Sequence, residues 1–110
     1  TPIRFNKQYC RTDYSGVSKL VQLTIYRTVQ EQLNNIIKYA NAKHVLIKTD
    51  RNDEDLFLKI EDDGIGFDTG KKSMGVGLLN IQTRAAISNG TMHLESSPGN
   101  GCKLHLHFKL

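Results

Sequence analysis

Residues 18–40 read SKLVQLTIYRTVQEQLNNIIKYA, with apolar side chains recurring at intervals of three and four positions. Such spacing is typical of an amphipathic helix, because residues three and four apart lie on the same helix face. We therefore predict one long helix here. Its apolar stripe would consist of Val21, Ile25, Val29, Leu33, Ile36, Ile37 and Ala40.

Short runs of alternating apolar residues predict strands on both sides of this helix. The runs are residues 3–9, 45–48, 56–61, 91–95 and 103–109. A glycine-rich segment, residues 62–77, predicts a mobile loop, and residues 78–88 return to helical spacing before an Asn-Gly stop. This order predicts an α/β (α+β) fold, a two-layer sandwich in which a mixed, mostly antiparallel sheet packs against helices.

Length and composition indicate one globular domain, residues 1–110, with 38% apolar and 24% charged residues. No apolar run is long enough to cross a bilayer. The chain begins at Thr1 without a leader, so we expect it to be part of a longer protein. Two unpaired cysteines, Cys10 and Cys102, fit inert thiols in a reducing cytosol.

The net charge of +4 would suit a polyanionic partner. Because the basic residues are scattered and rarely accompanied by aromatic ones, the sequence gives little support to nucleic acid as that partner. ATP is also a polyanion, and it remains compatible with this charge.

A row of polar residues lies opposite the apolar stripe of the long helix. Glu31, Asn35 and Lys38 fall within about 60° of one another at ~100° per residue. A carboxylate and an amide oxygen would suit a hydrated Mg²⁺, and the lysine would suit a phosphate. The same pattern also fits an ordinary solvated helix face.

Two glycine-rich motifs follow the third predicted strand. In the first, Asp62 could accept a hydrogen bond from an adenine amino group, while Gly64 and Gly66 allow the backbone close to a ligand. In the second, Gly75 and Gly77 precede a helix, whose first N–H groups suit phosphate oxygens. Each motif alone also fits a simple turn, and neither matches a P-loop or a Rossmann motif.

Together these residues resemble a known family. Tyr26-Arg27-Thr28-Val29-Gln30-Glu31, continued by Asn35, Lys38, Tyr39 and Ala40, resembles the N box of histidine kinases that read Y-R-x-x-Q-E-x-x-x-N-x-x-K-H-A. Residues 62–68 and 75–78 resemble the family's two glycine boxes, and residues 97–102 its closing S-x-P-G-x-G-T turn. Residues 20–110 are thus similar to the ATP-binding catalytic domain (HATPase_c, GHKL superfamily) of bacterial two-component sensor histidine kinases, which implies a Bergerat-type ATP-binding fold.

The resemblance implies a role for each matching residue. Asn35 would coordinate Mg²⁺, Lys38 would approach the phosphates, and Asp62 would bind the adenine amino group. Glu31 would join Asn35 at the metal by ordering bound water, or assist proton removal. The remaining nucleotide-binding residues would be Gly64, Gly66, Gly75 and Gly77, which shape an ATP lid, and Ile65, Met74 and Leu78 near them.

Two residues depart from the family pattern. Tyr39 replaces the usual histidine, but an aromatic ring with a polar tip can still border a nucleotide. Cys102 stands where threonine is expected near adenine, and a thiol is a weaker hydrogen-bonding group than a hydroxyl.

The four histidines receive no catalytic role. His105 and His107 share a strand face without the further ligands that a metal site needs, and His44 and His93 show no partner acid in the sequence. The resemblance implies that the phosphoacceptor histidine belongs to a separate dimerisation domain.

The predicted function is to bind Mg-ATP and donate its γ-phosphoryl group to that histidine, for relay to a response-regulator aspartate. The chain alone would phosphorylate nothing. We expect a cytoplasmic domain without nucleic-acid or membrane contact, in a homodimeric parent that is either soluble or anchored in the inner membrane. The alternatives are a related anti-sigma-factor serine kinase, and a non-catalytic binding domain of the same fold.

Overall fold

The long helix begins where Ser18 caps it, the Ser18 Oγ accepting a hydrogen bond from the Val21 N–H at 3.2 Å. Helix α1 spans Lys19–Asn35 and continues as a π-helical segment, Ile36–Ala40. The segment ends at Asn41, whose left-handed φ of 49° stops helical hydrogen bonding. The predicted helix over residues 18–40 is confirmed. The computed structural model describes residues 3–8, 13–69 and 76–110.

The described residues form one five-stranded sheet in the order β1-β2-β3-β5-β4. Strand β1 pairs in parallel with β2, and the other three pairings are antiparallel. The predicted mixed, mostly antiparallel sheet is therefore confirmed. The strands are β1 Arg4–Gln8, β2 His44–Arg51, β3 Asp55–Asp62, β4 Gly90–Ser96 and β5 Cys102–Lys109.

Strand β2 is longer than the apolar run that predicts it. Its polar end continues because Thr49, Asp50 and Arg51 pair with β3 across the hairpin. The hairpin turn is held by Asn52, whose Oδ1 accepts hydrogen bonds from the N–H groups of Glu54 and Asp55, each at 2.9 Å. Backbone pairing thus extends the strand beyond its hydrophobic pattern.

The core lies between the sheet and its two helices, α1 and α2, the latter spanning Val76–Ile87. Alternate residues of β3 and β5 face the helices, and Leu58 pairs with Leu106 at the centre. Helix α2 contributes Ile81 and Ala85, both fully buried. Burial of each large aliphatic side chain stabilises the domain by about 1.5–3 kcal/mol, so this layer supplies most of the driving force for folding.

The buried face of α1 differs from the predicted stripe. Ile37 is 62% exposed, while Thr24, Thr28 and Gln32 are buried. The reason is geometric: a strict four-residue series overshoots the 3.6-residue turn and drifts about 40° per step. The buried hydroxyls are satisfied. Thr24 Oγ1 and Ser88 Oγ hydrogen bond at 2.5 Å and link α1 to the residue that follows α2, and Thr28 Oγ1 donates to the Thr24 oxygen at 2.7 Å.

Helix α2 begins at Val76, two residues earlier than predicted, so Gly77 lies in its first turn rather than before it. Of the predicted mobile loop, residues 70–75 lie outside the described residues, as do Tyr9 and Cys10. Within the described ranges, no helix combines the length and apolarity needed to cross a membrane.

Candidate functional site

The polar row on α1 does not face open solvent along its length. Glu31 and Asn35 are half-buried against the first turn of α2. A Cβ atom added to Gly77 would lie 2.5 Å from Glu31 Oε1 and 3.1–3.2 Å from both amide atoms of Asn35. Contrary to prediction, Glu31 and Asn35 therefore do not lie opposite the buried face of α1; they face α2. Glycine at position 77 leaves space beside two oxygen donors that suit a hard cation.

The second predicted cluster forms where β3 ends. Asp62 is half-buried, and its Oδ1 accepts a hydrogen bond from the Gly64 N–H at 2.8 Å. The loop then docks on the end of the π-helical segment, where the Ile65 N–H donates to the Ala40 oxygen at 2.8 Å. A Cβ at Gly64 would lie 2.2 Å from that same oxygen. Only glycine permits this approach without moving the backbone.

Cys102 lies directly across the sheet from Asp62, as its Cα partner in the β3–β5 pairing. Burial raises the pKa of the Asp62 carboxyl, the nearby Asp63 charge raises it further, and the Gly64 N–H opposes the rise. Burial, together with the Asp62 charge, raises the pKa of the Cys102 thiol to about 11. The thiol is thus protonated at neutral pH, as expected for an inert cysteine.

Gln32 is a polar residue of this region that the sequence did not single out. It is only 3% exposed. Its Nε2 donates to Cys102 Sγ at 3.9 Å, and its Oε1 accepts from Asn35 Nδ2 at 3.4 Å. The two clusters are therefore joined by one buried amide. The available signal was its spacing from Ile25, Thr28 and Ile36, which places position 32 on the buried face.

Asp63, the second aspartate of the first glycine box, has a structural role. Its Oδ1 accepts hydrogen bonds from the N–H groups of Lys43 and His44, both at 2.8 Å, and its Oδ2 lies 2.7 Å from His44 Nδ1. His44 therefore has a partner acid, contrary to prediction. The carboxylate ties the start of β2 to the end of β3, directly beside Asp62.

The other predicted site residues are placed as follows. Lys38 is exposed, as are Tyr39 and Ile65, at 71% and 57%. Gly66 takes a left-handed φ of 63° against the closing turn, where an added Cβ would lie 2.1 Å from the Ser97 oxygen. Leu78 is partly buried against the core. Met74 and Gly75 lie outside the described residues.

The opposite face of the sheet carries the remaining histidines. His105 pairs with Glu61 and His107 with Asp55, each at 2.7 Å, and a groove of about 500 Å³ lies beside them. His93, predicted to lack a partner acid, lies 3.2 Å from Glu95. No group of three or more potential metal ligands occurs among residues 3–8, 13–69 and 76–110. This face is remote from the Asn35 and Asp62 clusters, because alternate strand residues point to opposite sides.

Solved structures with this architecture define the class of fold. The histidine kinase domain of the blue-light activated histidine kinase from Erythrobacter litoralis EL346 superimposes with a TM-score of 0.81 at 20% identity. The match covers 98% of this chain and 52% of that structure. The chain therefore has the fold of a histidine kinase ATP-binding domain.

Sequence comparison gives the family itself. Residues 20–110 match the family described as histidine kinase-, DNA gyrase B-, and HSP90-like ATPase (HATPase_c), and the chain belongs to this family. Membership implies that the domain binds ATP.

Two relatives among the curated proteins are histidine kinases by name. The signal transduction histidine-protein kinase/phosphatase UhpB of Salmonella typhimurium is 36% identical over 96 residues, covering 87% of this chain and 19% of UhpB. Sensor histidine kinase ComP of Bacillus subtilis is 38% identical over 92 residues, covering 81% of this chain and 12% of ComP. The chain spans less than a fifth of the length of either relative.

Proposed function

We propose that residues 1–110 form the single ATP-binding catalytic domain of a longer sensor histidine kinase. The domain holds Mg-ATP and donates the γ-phosphoryl group to a histidine on a separate dimerisation domain of a homodimeric parent. A response-regulator aspartate then receives the phosphoryl group. The domain works in the cytoplasm, in a parent that is either soluble or anchored in the inner membrane.

The observation that carries this proposal is the convergence of two residue clusters joined by Gln32. At one end, Asn35 and Glu31 meet the glycine turn of α2. At the other end, Asp62 and Cys102 pair across β3 and β5. This arrangement gives the phosphate and adenine ends of one nucleotide separate partners, in a family that binds ATP.

The metal end fits Mg²⁺ by its donor set. The Asn35 amide and the Glu31 carboxylate are oxygen donors, as Mg²⁺ prefers, and both are half-buried. Mg²⁺ held there would neutralise charge on the phosphate oxygens. Lys38, exposed at the end of the helix, would reach the phosphate tail, and the first N–H groups of α2 would meet phosphate oxygens.

The adenine end depends on Asp62, whose carboxylate accepts a hydrogen bond from the adenine amino group. Gly64 lets the loop dock on Ala40 directly beside this carboxylate, and Ile65, Leu78, Met74 and Tyr39 would border the base. Gly66 and Gly75 shape the lid that screens the phosphates. Positioning of the phosphates against an incoming imidazole then supplies catalysis: the imidazole attacks the γ-phosphorus in line, and ADP leaves.

The named relatives favour this function over the two alternatives. Both UhpB and ComP are called histidine kinases, rather than anti-sigma factors or nucleic-acid-binding proteins. Membership of an ATPase family also supports nucleotide as the ligand that the basic charge would attract.

Calorimetry with Mg-ADP tests the site. Asn35→Ala and Asp62→Asn should each abolish measurable binding, whereas Asn34→Ala, an exposed neighbour on the same helix, should leave it unchanged. Circular dichroism and melting curves confirm that the variants are folded. Unchanged affinity in either site variant contradicts the assignment.

Transfer is tested with γ-labelled ATP and the histidine-bearing domain of the same parent. Label should appear on that domain only when this chain is present, and not when the phosphoacceptor histidine is replaced. Label on a serine of a partner protein instead would favour the anti-sigma-factor kinase.

A further inference from the structure

The buried side chain of Gln32 contacts one residue from each half of the proposed site. It is 3% exposed, so it acts through its neighbours rather than on a ligand in solution. Its amide has two chemically different ends: a carbonyl oxygen that only accepts hydrogen bonds, and an NH₂ group that only donates. Each end meets a different partner.

The accepting end faces Asn35. Gln32 Oε1 receives a hydrogen bond from Asn35 Nδ2 at 3.4 Å. Because the Asn35 amide is planar, a donor committed to Gln32 leaves Oδ1 as the atom available to a cation. Without Gln32, the Asn35 amide could rotate by a half turn and present its NH₂ group, which no cation binds.

The donating end faces Cys102. Gln32 Nε2 donates to Cys102 Sγ at 3.9 Å, and the N–H lowers the pKa of the thiol against the larger effects of burial and of Asp62. A sulfur that accepts this bond directs its own S–H away from Gln32. The thiol hydrogen is thereby turned away from the Gln32 amide, in a residue that pairs with Asp62 across β3 and β5.

We infer that Gln32 is a positioning residue that orients Asn35 for Mg²⁺ and Cys102 for the base. This inference rests on the proposed function and extends it. The two ends of one amide have opposite polarity, so their orientations are set together. Gln32 thus links the metal half of the site to the base half.

Two substitutions separate the two ends of the amide. Gln32→Met keeps the length of the side chain but removes both the acceptor and the donor. Gln32→Glu, in its ionised form, keeps an acceptor for Asn35 and removes the donor to sulfur. Gln30→Met is the matched control, because Gln30 is an exposed glutamine on the same helix, bonded to the Tyr26 hydroxyl.

The decisive measurement is the ratio of ADP affinity with excess Mg²⁺ to ADP affinity with a chelator, by calorimetry on the full chain. Gln32→Met should reduce this Mg²⁺ advantage roughly tenfold, the size expected for loss of one oriented ligand bond. Its affinity for ADP without Mg²⁺ should change much less. Gln32→Glu should keep the Mg²⁺ advantage, and Gln30→Met should behave as the unaltered chain.

If the role of Gln32 were purely structural, Gln32→Met would weaken ADP binding equally with and without Mg²⁺, and that result overturns the inference. Melting curves identify any variant that fails to fold. In that case a spectroscopic test on the unaltered chain decides: on addition of Mg-ADP, the Gln32 and Asn35 side-chain NH₂ resonances should shift together, and independent shifts contradict the link. If the unaltered chain does not bind Mg-ADP at all, the proposed function fails instead.

Discussion

Gly77 lies so close to Glu31 that a Cβ atom at position 77 would come within 2.5 Å of the Glu31 Oε1 atom. The contact joins the first turn of α2 to the polar row of α1. It makes the absence of a side chain at position 77 a condition for the geometry of Glu31 and Asn35.

The first prediction concerns Gly77→Ala. The fold should persist, because the Glu31 carboxylate ends a flexible side chain and can move, and alanine favours a helix by about 1 kcal/mol over glycine. The displaced carboxylate and the crowded Asn35 amide should lower Mg-ADP affinity roughly tenfold or more in calorimetry. Asn80→Ala, at an exposed position of the same helix, is the control. Wild-type affinity in Gly77→Ala would show that this contact has no part in binding.

The second prediction compares two glycines of the closing turn. Gly99 and Gly101 both have left-handed backbones, with φ of 82° and 66°, but only Gly101 is crowded, since its Cβ would lie 2.0 Å from the Asp62 oxygen. Each alanine variant should lose about 1–2 kcal/mol from backbone strain. Gly101→Ala should lose about 1–3 kcal/mol more from overpacking. Urea denaturation measures the difference, and equal losses would mean that the turn adjusts freely.

The third prediction is a pH dependence of stability caused by Asp63. Hydrogen bonds from the N–H and the imidazole of His44, and from the Lys43 N–H, lower the Asp63 pKa from 3.8 to about 2. A carboxyl whose pKa is lower in the folded state stabilises the fold at pH values above its unfolded pKa, which is 3.8 here. This stabilisation is lost as the pH falls towards 2. Urea midpoints of the unaltered chain should therefore fall over this range.

Asp63→Asn should flatten that fall, because the amide cannot be protonated there. Asp53→Asn, in the exposed β2–β3 turn, removes a carboxylate outside these hydrogen bonds and should change the slope less. Parallel slopes for Asp63→Asn and the unaltered chain would rule out this origin.

The fourth prediction concerns the reactivity of Cys102. In a Cys10→Ser background Cys102 is the remaining cysteine of the sequence. Its pKa of about 11 leaves little thiolate at pH 8, so alkylation by iodoacetamide should be at least about 100-fold slower than that of a free thiol. Unfolding in urea should restore the ordinary rate. Fast alkylation of the folded chain would contradict the buried, protonated thiol.

Much of the fold follows from local patterns. The helix over residues 18–40, all five strands and the mixed, mostly antiparallel sheet are predicted and observed. The errors have local causes as well. Ile37 is exposed because four-residue spacing drifts around a helix. Helix α2 starts two residues before its apolar pattern, with Gly77 in its first turn. Periodicity locates elements well and their exact faces less well.

The site shows the same division. The chemistry of Asn35, Glu31 and Asp62 is visible in the sequence, together with the glycines around them. The long-range contacts around these residues are not visible in the sequence. Gln32 reaches Cys102 across 70 positions, and Asp63 meets His44 across 19. Such contacts depend on packing between elements that no local pattern specifies.

By itself, then, the sequence determined the family, the order of the elements and the residue types that could hold a nucleotide, because these follow from composition, spacing and motif. Only the tertiary structure decided that Glu31 and Asn35 face α2, that Asp63 ties the start of β2 to the end of β3, and that one buried amide joins Asn35 to Cys102. A helix periodicity shows that a polar face exists. What that face meets depends on the non-local packing of the helices against the sheet.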